Sequence, residues 1–369
     1  LVRAAPAILA GVARSLAILQ RVKPAALIGF GGYPTLPPVA AAILRGVPAC
    51  VHEQNAVLGR VNRLVAPHVE AIASTFDKPK FLKARDAGKL VLTGNPVRDA
   101  VIAQAGAAYD TPRPGGEIRL LVFGGSQGAR VMSDIVPASL AHLPEEMRKR
   151  LRVVQQARPE DMERVARVYE QAGIHAELNS FFDDMPERIA HCHLVVGRSG
   201  ASTVSELAVI GRPSILVPLP HSLDNDQKAN AEKLADAGAA WMIEQKDFTE
   251  EVFAQRIERL FSAPADLEAA AVADPSLVGA SVLAIWAAWL ADPGTSVRQI
   301  RAFEELGRRS DAPAELWHFV GRIYLHIGNE DRGRQSFERA LEIDPDHTDT
   351  QRQLRLLERR GGGDGGGGE

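Results

Sequence analysis

The sequence predicts an α/β protein in which two parallel-sheet domains follow one another and lead into helical segments. Two series of short apolar runs alternate with helix-type patterns, and this alternation is typical of parallel strands joined by crossover helices. A Gly- and Pro-rich stretch at 94–117 separates the two series and indicates an interdomain connection. Beyond about residue 265 no strand-type run is evident, so that region is expected to be helical.

The first series opens with a helix-type pattern. In residues 1–21, Ile8, Val12, Leu16 and Leu19 recur at three- and four-residue spacing. Strand-type runs then alternate with helix-type patterns, the strands at 25–32, 49–55 and 71–75 and the helices at 35–45 and 58–66. A sheet that opens on a helix and has three or four strands is expected to be incomplete for its class.

The second series contains strand-type runs with helical segments between them. The runs lie at 118–125, 151–157, 175–181, 193–199, 213–220 and 239–244. We therefore expect two doubly wound, Rossmann-like domains in tandem, of which the second is longer by several elements.

An internal repeat occurs in the helical region. Residues 314–347 fit the 34-residue tetratricopeptide pattern, with its marked positions at Trp317, Gly321, Tyr324, Gly333, Phe337, Ala340 and Pro345. A shift of 34 residues from Phe337 gives Phe303, so a degenerate first repeat is expected within 280–313. Because such repeats bury their faces against neighbours, this region is expected to pack on the body of the protein, on a protein partner or on the helix at 349–360.

The predicted domain boundaries follow from these patterns. They are 1–95 for a partial N-terminal α/β domain, 96–265 for a second α/β domain, 266–313 for a helical connector with the degenerate repeat, 314–347 for the full repeat, 348–360 for a further helix and 361–369 for a disordered Gly-rich tail.

Composition excludes several classes of function. The hydrophobic fraction of 46% predicts a folded chain, and the net charge of −3 argues against a general nucleic-acid-binding surface. Cys50 and Cys192 cannot form a disulfide framework, and the histidines lack metal-ligand spacing, so no metal site and no cofactor are predicted. No apolar run reaches the roughly 18–20 residues that a membrane span needs.

Two Gly-rich turns in the second domain predict an anion site. Residues 124–130 (GGSQGAR) and 197–206 (GRSGASTVSE) each leave an apolar strand and enter a helix, whose free N–H groups attract a phosphate. Glu206 lies one turn inside its helix, where a carboxylate can accept hydrogen bonds from vicinal hydroxyls. The alternatives are a tight turn without a ligand at the first site and a capping box from Thr203 to Glu206 at the second.

Further polar residues follow other predicted strands. His52-Glu53-Gln54-Asn55 and Gly31-Gly32-Tyr33 do so in the first domain, where ligands of open α/β sheets bind, although a solvated loop is the alternative. Arg98 lies in the interdomain stretch and is either a diphosphate clamp or an ordinary surface charge. Gln227 and Asn230 share one helix face after the strand at 213–220. All these signals together predict a cleft between two α/β domains.

Seven segments in this order resemble the N-acetylglucosaminyltransferases of bacterial peptidoglycan synthesis: GFGGYPTLPP, HEQNAVLGRVNR, TGNPVR, FGGSQGAR, SFFDDM, GRSGASTVSELA and GRPSILVPLPHSLDNDQKANA. The resemblance spans about residues 20–262. It implies transfer of N-acetylglucosamine from UDP-N-acetylglucosamine to undecaprenyl-diphosphoryl-N-acetylmuramoyl-pentapeptide (lipid I), which gives lipid II. It also implies a GT-B fold, inversion at the anomeric carbon and no metal requirement.

The resemblance assigns roles to individual residues. On the donor side these are Ala201, Ser202, Thr203, Val204 and Ser205 in the nucleotide loop, Glu206 on the ribose, Ser126 on the diphosphate, Phe182 at the uracil, Asn55 and Arg98 as further donor-site residues, and Gln227 with Asn230 beside it at the sugar hydroxyls. On the acceptor side they are Gly31, Gly32, Tyr33, His52 and Glu53. Ser202 is a departure, since leucine is usual there.

The chain also departs from the family at its beginning. Relatives start with a strand and a Gly-rich loop of the type GGTGGH, whose histidine is the usual candidate base, and this chain has no such loop. By comparison, roughly the first 60–80 residues of the usual domain are missing. We therefore expect an intact donor half-site with poor turnover, and the base is unknown, with His52 and Glu53 as substitute candidates.

The expected partners are UDP-N-acetylglucosamine, lipid I and the cytoplasmic face of the bacterial inner membrane, as for a peripheral protein. Four basic residues near the beginning of the chain have two interpretations: Arg3, Arg14, Arg21 and Lys23 either contact the membrane or form a solvated helix face. Two alternative functions stay open: a GT-B transferase for another glycolipid acceptor, and a non-catalytic nucleotide-sugar-binding or scaffold protein.

Overall fold

A computed structural model describes residues 5–105, 107–125, 129–271, 294, 296–307 and 312–361. The chain divides into two compact units. Unit 1 comprises Leu1–Asn95, Tyr109–Leu207 and Arg212–Ala273, and unit 2 comprises Pro96–Ala108, Ala208–Gly211 and Asp274–Glu369. Unit 1 contains two parallel sheets, and we call residues 5–95 the first lobe and the following sheet with its helices the second lobe.

The first lobe is a four-stranded parallel sheet in the order β1-β2-β3-β4. Its elements are α1 (Ala5–Val22), β1 (Leu27–Gly29), α2 (Leu36–Arg45), β2 (Ala49–Glu53), α3 (Arg60–Val65), β3 (Ala71–Ser74) and β4 (Leu90–Leu92). The core contains Val39, Val51 and Ile72, which are fully buried. Helix α2 ends where Gly46 adopts a left-handed conformation and returns its N–H to the last carbonyls. Strand β4 has no counterpart among the strands predicted from the sequence.

The second lobe is a six-stranded parallel sheet in the order β10-β9-β8-β5-β6-β7. Its strands are β5 (Ile118–Phe123), β6 (Leu151–Gln156), β7 (His175–Asn179), β8 (Leu194–Gly197), β9 (Ser214–Leu216) and β10 (Ala240–Met242). Each of them lies within a run predicted as a strand. The central strands are apolar on both faces because helices cover both sides of the sheet.

Helices of the second lobe connect these strands and follow the last of them. They are α5 (Arg130–Ala141), α6 (Glu145–Arg148), α7 (Met162–Gln171), α8 (Met185–His191), α9 (Ala201–Ile210), α10 (Asp226–Asp236), α11 (Glu250–Ser262) and α12 (Pro264–Ala271). Val136, Val165 and Phe253 from three of these helices join Leu120 and Val153 of the sheet in one core. Two parallel-sheet lobes confirm the predicted fold class.

Unit 2 is helical in its described parts. It contains α4 (Asp99–Ile102), α13 (Ser296–Leu306), α14 (Ala314–His326), α15 (Glu330–Ile343) and α16 (Thr348–Gly361). A Cβ atom on Gly321 would lie 2.5 Å from Cε1 of Phe337, so the glycine is what lets α14 and α15 approach. Residues 280–293 and 308–311, which the degenerate repeat would include, lie outside the described residues.

Among the helices within the described ranges, none is both long enough and apolar enough to cross a bilayer.

Candidate functional site

The candidate site begins at the carboxyl edge of the second sheet, where the strand order reverses. The chain runs from β5 outward to β7 and then returns to β8 on the other side of β5. Phe123 and Gly197 are register partners at the ends of the adjacent strands β5 and β8. The two Gly-rich loops therefore start side by side at the switch point of the sheet, where ligands of such folds bind.

The first Gly-rich loop requires glycine at its start. A Cβ atom on Gly124 would lie 2.2 Å from the nitrogen of Ala129, and Gly125 has a positive φ of 85°. Helix α5 begins directly afterwards at Arg130. Ser126, the predicted diphosphate contact, lies outside the described residues, so its role stays a prediction.

Gln156 links this loop to the neighbouring strand ends. Its Oε1 accepts a hydrogen bond from the N–H of Gly124 at 3.3 Å, and its Nε2 donates to the carbonyl of Ser180 at 3.1 Å. The side chain is buried although it is polar. Gln156 was not among the predicted site residues, and its one local signal is the pair of glutamines that ends the apolar strand β6. The hydrogen bond from Gln156 to Ser180 also holds the loop that carries Phe182.

Phe182 lies at the carboxyl end of β7, two strands from β5. Neighbouring strands are about 4.8 Å apart, so the ends of β5 and β7 are separated by roughly 10 Å, which is within the span of one nucleotide. The ring of Phe182 is buried, and Cζ of Arg188 lies 4.4 Å from the ring centroid. The predicted contact of its backbone with uracil stays a prediction.

The second Gly-rich loop is supported by a buried arginine. Arg198 donates from Nη1 to the carbonyls of Val217 and Pro218, each at 3.0 Å, and from Nη2 to Oε1 of Gln245 at 2.6 Å. Burial lowers the pKa of the Arg198 guanidinium. Arg198 was not among the predicted site residues. Its guanidinium ties the start of this loop to the residues that follow β9.

Helix α9 starts at Ala201, so the predicted nucleotide loop is its first turns. Val204 and Ser205 are buried, Ser202 is exposed, and Glu206 is half-buried. The Ser205 hydroxyl donates to the Ala201 carbonyl at 2.8 Å and accepts from Nδ2 of Asn95 at 3.1 Å. Thr203 lies inside the helix and does not occupy the cap position, which removes the capping-box alternative for Glu206.

Asn230 connects the two lobes of unit 1. Its Oδ1 accepts from the N–H of Ala56 at 2.8 Å, and its Nδ2 donates to Oδ1 of Asn55 at 3.0 Å and to the carbonyl of Ser199 at 3.1 Å. The side chain is fully buried. Asn55 and Asn230, which were predicted separately, therefore lie in contact beside the second Gly-rich loop.

Gln227 is held at the same place. Its carbonyl accepts from the Ser199 hydroxyl at 2.7 Å, and its Oε1 accepts from the N–H of Leu219 at 3.0 Å. The structure thus brings Gln227, Asn230 and Asn55 together around Ser199. Arg98 belongs to unit 2, where it precedes α4 with extended backbone angles, and its role at the diphosphate stays a prediction.

Glu53 holds the turn that follows β2. Its Oε1 accepts from the N–H and Nδ2 of Asn55 at 3.0 and 3.3 Å, and its Oε2 accepts from the N–H of Gly59 at 2.7 Å and from Nδ2 of Asn62 at 2.9 Å. Both oxygens are therefore occupied, and the side chain is buried. This geometry makes Glu53 a positioning residue for Asn55.

His52 lies beneath the same turn and is also buried. Its Nε2 is 2.8 Å from the carbonyl oxygen of Gly94 and donates to it, so Nδ1 is the unprotonated nitrogen. Nδ1 has no hydrogen-bond partner among the described residues. Burial lowers the pKa of His52, which keeps the ring neutral near pH 7.

A cavity of about 170 Å³ lies between this turn and residues 223–226 of the second lobe. Gly31, Gly32 and Tyr33, which were predicted on the acceptor side, line it together with Glu53 and Asn55. Gly31 and Gly32 both have a positive φ, a backbone conformation that glycine adopts more readily than other residues. In the part of the chain that the structure describes, no three His, Cys, Asp or Glu side chains are grouped to hold a metal ion.

Known protein families match most of the chain. Residues 1–74 match the glycosyltransferase family 28 N-terminal domain, and residues 119–280 match the C-terminal domain of that family. Residues 314–347 match a tetratricopeptide repeat, which confirms the predicted repeat.

Individual relatives are similar over most of their length. The UDP-N-acetylglucosamine–N-acetylmuramyl-(pentapeptide) pyrophosphoryl-undecaprenol N-acetylglucosamine transferase of Paramagnetospirillum magneticum is 51% identical over 262 residues, which covers 71% of this chain and 71% of the relative. The enzyme of the same name from Rhodopseudomonas palustris (strain CGA009) is 54% identical over 256 residues, which covers 69% of this chain and 70% of the relative.

Solved structures give the same grouping. MurG of Acinetobacter baumannii is 30% identical with a TM-score of 0.61, and the match covers 74% of each chain. UDP-GlcNAc 2-epimerase of Neisseria meningitidis, solved with UDP-GlcNAc, is 12% identical with a TM-score of 0.54 over 75% of this chain and 78% of that one, and it shares the fold alone. With these matches, the resemblance seen in the seven sequence segments is confirmed, and the chain belongs to the glycosyltransferase family 28 enzymes of the UDP-N-acetylglucosamine–N-acetylmuramyl-(pentapeptide) pyrophosphoryl-undecaprenol N-acetylglucosamine transferase type.

Proposed function

We propose that this chain transfers N-acetylglucosamine from UDP-N-acetylglucosamine to lipid I and thereby forms lipid II. The observation that carries the proposal is the meeting of three loops in unit 1. The Gly-rich loops after β5 and β8 lie side by side, and Asn230 joins the second of them to the turn at Asn55 and Ala56. A donor nucleotide fits at the sheet edge, with the acceptor on the side of the first lobe.

The chemistry requires stabilisation of the departing diphosphate. Negative charge grows on the β-phosphate as the bond to the sugar breaks, and preorganised donors stabilise that charge. The N-terminus of α9 and the buried guanidinium of Arg198 are suited to this role, and the N-terminus of α5 adds a second set of N–H groups. Attack by the acceptor hydroxyl from the opposite face of the sugar gives inversion.

A base must also remove the proton from the acceptor hydroxyl. Of the two candidates, His52 keeps an unprotonated Nδ1 without a partner among the described side chains, but this atom is buried and His52 does not line the cavity. Glu53 lines the cavity, and both of its oxygens are occupied. We therefore keep both residues as candidates. If His52 is the base, a His52→Gln variant loses the acidic limb of the pH–rate profile and Glu53→Gln keeps it. A retained limb in His52→Gln would exclude His52.

Calorimetry and a transfer assay on the same preparation test the function. We expect the chain to bind UDP-N-acetylglucosamine, to transfer the labelled sugar to lipid I at the low rate that the sequence predicts, and to bind the 2′-deoxyuridine analogue more weakly. If Glu206 holds the ribose, the Glu206→Gln variant should bind UDP-N-acetylglucosamine and its 2′-deoxyuridine analogue with equal affinity. Binding without transfer would support the non-catalytic alternative, and absence of binding would exclude the proposal.

We also propose peripheral attachment to the cytoplasmic face of the membrane. Helix α1 carries Arg14 and Arg21 together with exposed Leu9, Ile18 and Val22, a combination typical of helices that lie on anionic lipid. Flotation with vesicles of anionic lipid tests this, and an Ile18→Glu variant should bind them less. The helices of unit 2 are proposed to bind a protein partner, as tetratricopeptide repeats commonly do.

A further inference from the structure

The cavity of about 170 Å³ between the two lobes has an acidic wall. Three carboxylates line it, those of Glu53, Asp224 and Asp226, and they face one basic side chain among the described lining residues, that of Arg60. Asn62 also lines the cavity and is buried, and its Oδ1 has no hydrogen-bond partner within the described ranges. A net negative wall with an unpaired acceptor repels a diphosphate and suits a neutral group that donates hydrogen bonds, such as a sugar hydroxyl.

The three carboxylates differ in how many of their oxygens are engaged. Glu53 accepts hydrogen bonds on both oxygens, and Asp224 is paired with two arginines of α3. Asp226 accepts one bond, from the N–H of Gln227 to its Oδ1 at 2.7 Å, and its Oδ2 has no partner in the part of the chain that the structure describes. The residue is half-buried, and Oδ2 does not belong to the buried polar atoms without a partner. A ligand in the cavity can therefore reach Oδ2 of Asp226.

Asp226 lies where the donor and acceptor parts of the site meet. It directly precedes Gln227, whose carbonyl accepts from the Ser199 hydroxyl at 2.7 Å. Ser199 belongs to the second Gly-rich loop, which is the predicted nucleotide loop. A base for sugar transfer must reach the acceptor hydroxyl while that hydroxyl contacts the anomeric carbon of the donor, so it must lie at this junction.

We propose that the carboxylate of Asp226 is the general base of the transfer. Oδ2 takes the proton of the acceptor hydroxyl as the hydroxyl oxygen bonds to the anomeric carbon, and the bond from that carbon to the β-phosphate oxygen breaks with its electron pair. UDP leaves, and Asp226 returns the proton to water. The proposal rests on the proposed function and adds a third candidate to His52 and Glu53, which offer the cavity no unoccupied accessible atom.

Single-turnover transfer by the full chain, with UDP-N-acetylglucosamine in excess, tests the base. Asp226→Asn keeps the shape of the side chain and the acceptor for the Gln227 N–H but cannot take a proton. We expect transfer to fall about 100- to 10,000-fold, the acidic limb of the pH–rate profile to disappear, and the dissociation constant of the donor to stay unchanged. Added formate should restore part of the transfer in Asp226→Ala, whereas an acid that only stabilises the first turn of α10 would give no such rescue.

Asp236→Asn is the matched control. Asp236 is exposed at the other end of α10 and does not line the cavity, so this variant removes one negative charge from the same helix. We expect it to transfer the sugar at the wild-type rate. Thermal unfolding checks that each variant folds.

Acceptor binding is a second readout, and it does not depend on turnover. The probes are lipid I in detergent micelles and an analogue in which hydrogen replaces the attacking hydroxyl. Wild type should bind lipid I about tenfold more tightly than the analogue, because the hydroxyl donates a hydrogen bond to a charged oxygen. Asp226→Ala should bind the two with equal affinity, and Asp236→Asn should keep the preference.

Wild-type transfer with an intact acidic limb in Asp226→Asn would overturn the proposal. Equal binding of lipid I and the analogue by wild type, or an unchanged preference in Asp226→Ala, would overturn it as well. A separate titration of the wild-type chain with UDP-N-acetylglucosamine reports on the proposed function. Failure of that titration would remove the transferase assignment, whereas donor binding with full transfer in Asp226→Asn would remove only the role of Asp226.

Discussion

Replacing Asn230 by alanine tests whether one buried amide holds the loops of the site in place. The side chain is fully buried and makes hydrogen bonds to Ala56, Asn55 and Ser199. Alanine removes all three bonds and introduces no new polar group. The change therefore isolates the contribution of this amide to the junction between the turn at Asn55 and the loop at Ser199.

The expected magnitude follows from the groups that are left without partners. The N–H of Ala56 and the carbonyl of Ser199 belong to buried residues, whereas Asn55 is half-buried and reaches water. A buried polar group without a partner costs about 1–3 kcal/mol, and at about 1–2 kcal/mol for each of these two groups the junction should weaken by about 2–4 kcal/mol in total. At about 1.4 kcal/mol for each factor of ten, that corresponds to roughly 30- to 700-fold more frequent local opening.

Hydrogen exchange followed by mass spectrometry measures this opening. Peptides that contain the Ala56 amide should exchange at least about tenfold faster in Asn230→Ala, and sugar transfer should fall in parallel. Lys233→Gln is the control, because Lys233 lies on the same helix and makes an exposed ion pair with Asp77 at 3.0 Å. Wild-type exchange at Ala56 in Asn230→Ala, or equal acceleration in Lys233→Gln, would refute the reasoning.

Three further perturbations have defined outcomes. Gly124→Ala should weaken UDP-N-acetylglucosamine binding by about tenfold or more because its Cβ would lie 2.2 Å from the Ala129 nitrogen, whereas Gly88→Ala, with nothing within 4 Å, should bind normally by calorimetry. Gly321→Ala should destabilise the repeat by about 1–3 kcal/mol in urea unfolding followed by circular dichroism, and an unchanged midpoint would contradict the close approach of α14 and α15. Burial, followed by the charge of His347, lowers the pKa of His318 to about 4. Below about pH 6.5 the unfolded chain takes up a proton on His318 and the folded chain does not. The contribution of His318 to stability is therefore full above pH 6.5 and is lost as the pH falls toward 4, by at most about 3 kcal/mol. The stability difference between wild type and His318→Gln should shrink over that range, and a constant difference would contradict this prediction.

Sequence patterns identified most of the fold because the elements are locally encoded. The apolar runs at 118–125 and 193–199 predict the ends of their strands to within a few residues. Strand β4 was missed because its apolar run, Leu90–Leu92, is only three residues long and is shorter than the runs from which strands are predicted. Its pairing with β3, which no local signal encodes, is what makes it a strand.

Candidate residues were found where a motif has a local signature. Asn55, Glu206 and Gln227 belong to such motifs, but their sequence context did not distinguish a ligand contact from a structural bond. The structure shows Glu53 with both oxygens occupied, which the motif alone left open. Gln156 and Arg198 were missed because their partners are carbonyls and amides of other loops, which have no sequence signature.

The sequence by itself determined the alternation of strands and helices, the repeat at 314–347 and the family, because periodicity and ordered motifs are properties of the chain alone. Only the tertiary structure decided which side chains meet. Asn55 reaches Asn230 and Arg60 reaches Asp224 across more than 160 positions of the sequence. Such pairs depend on how the two sheets close on one another, and burial, which sets the free energy of each contact, exists only after that closure.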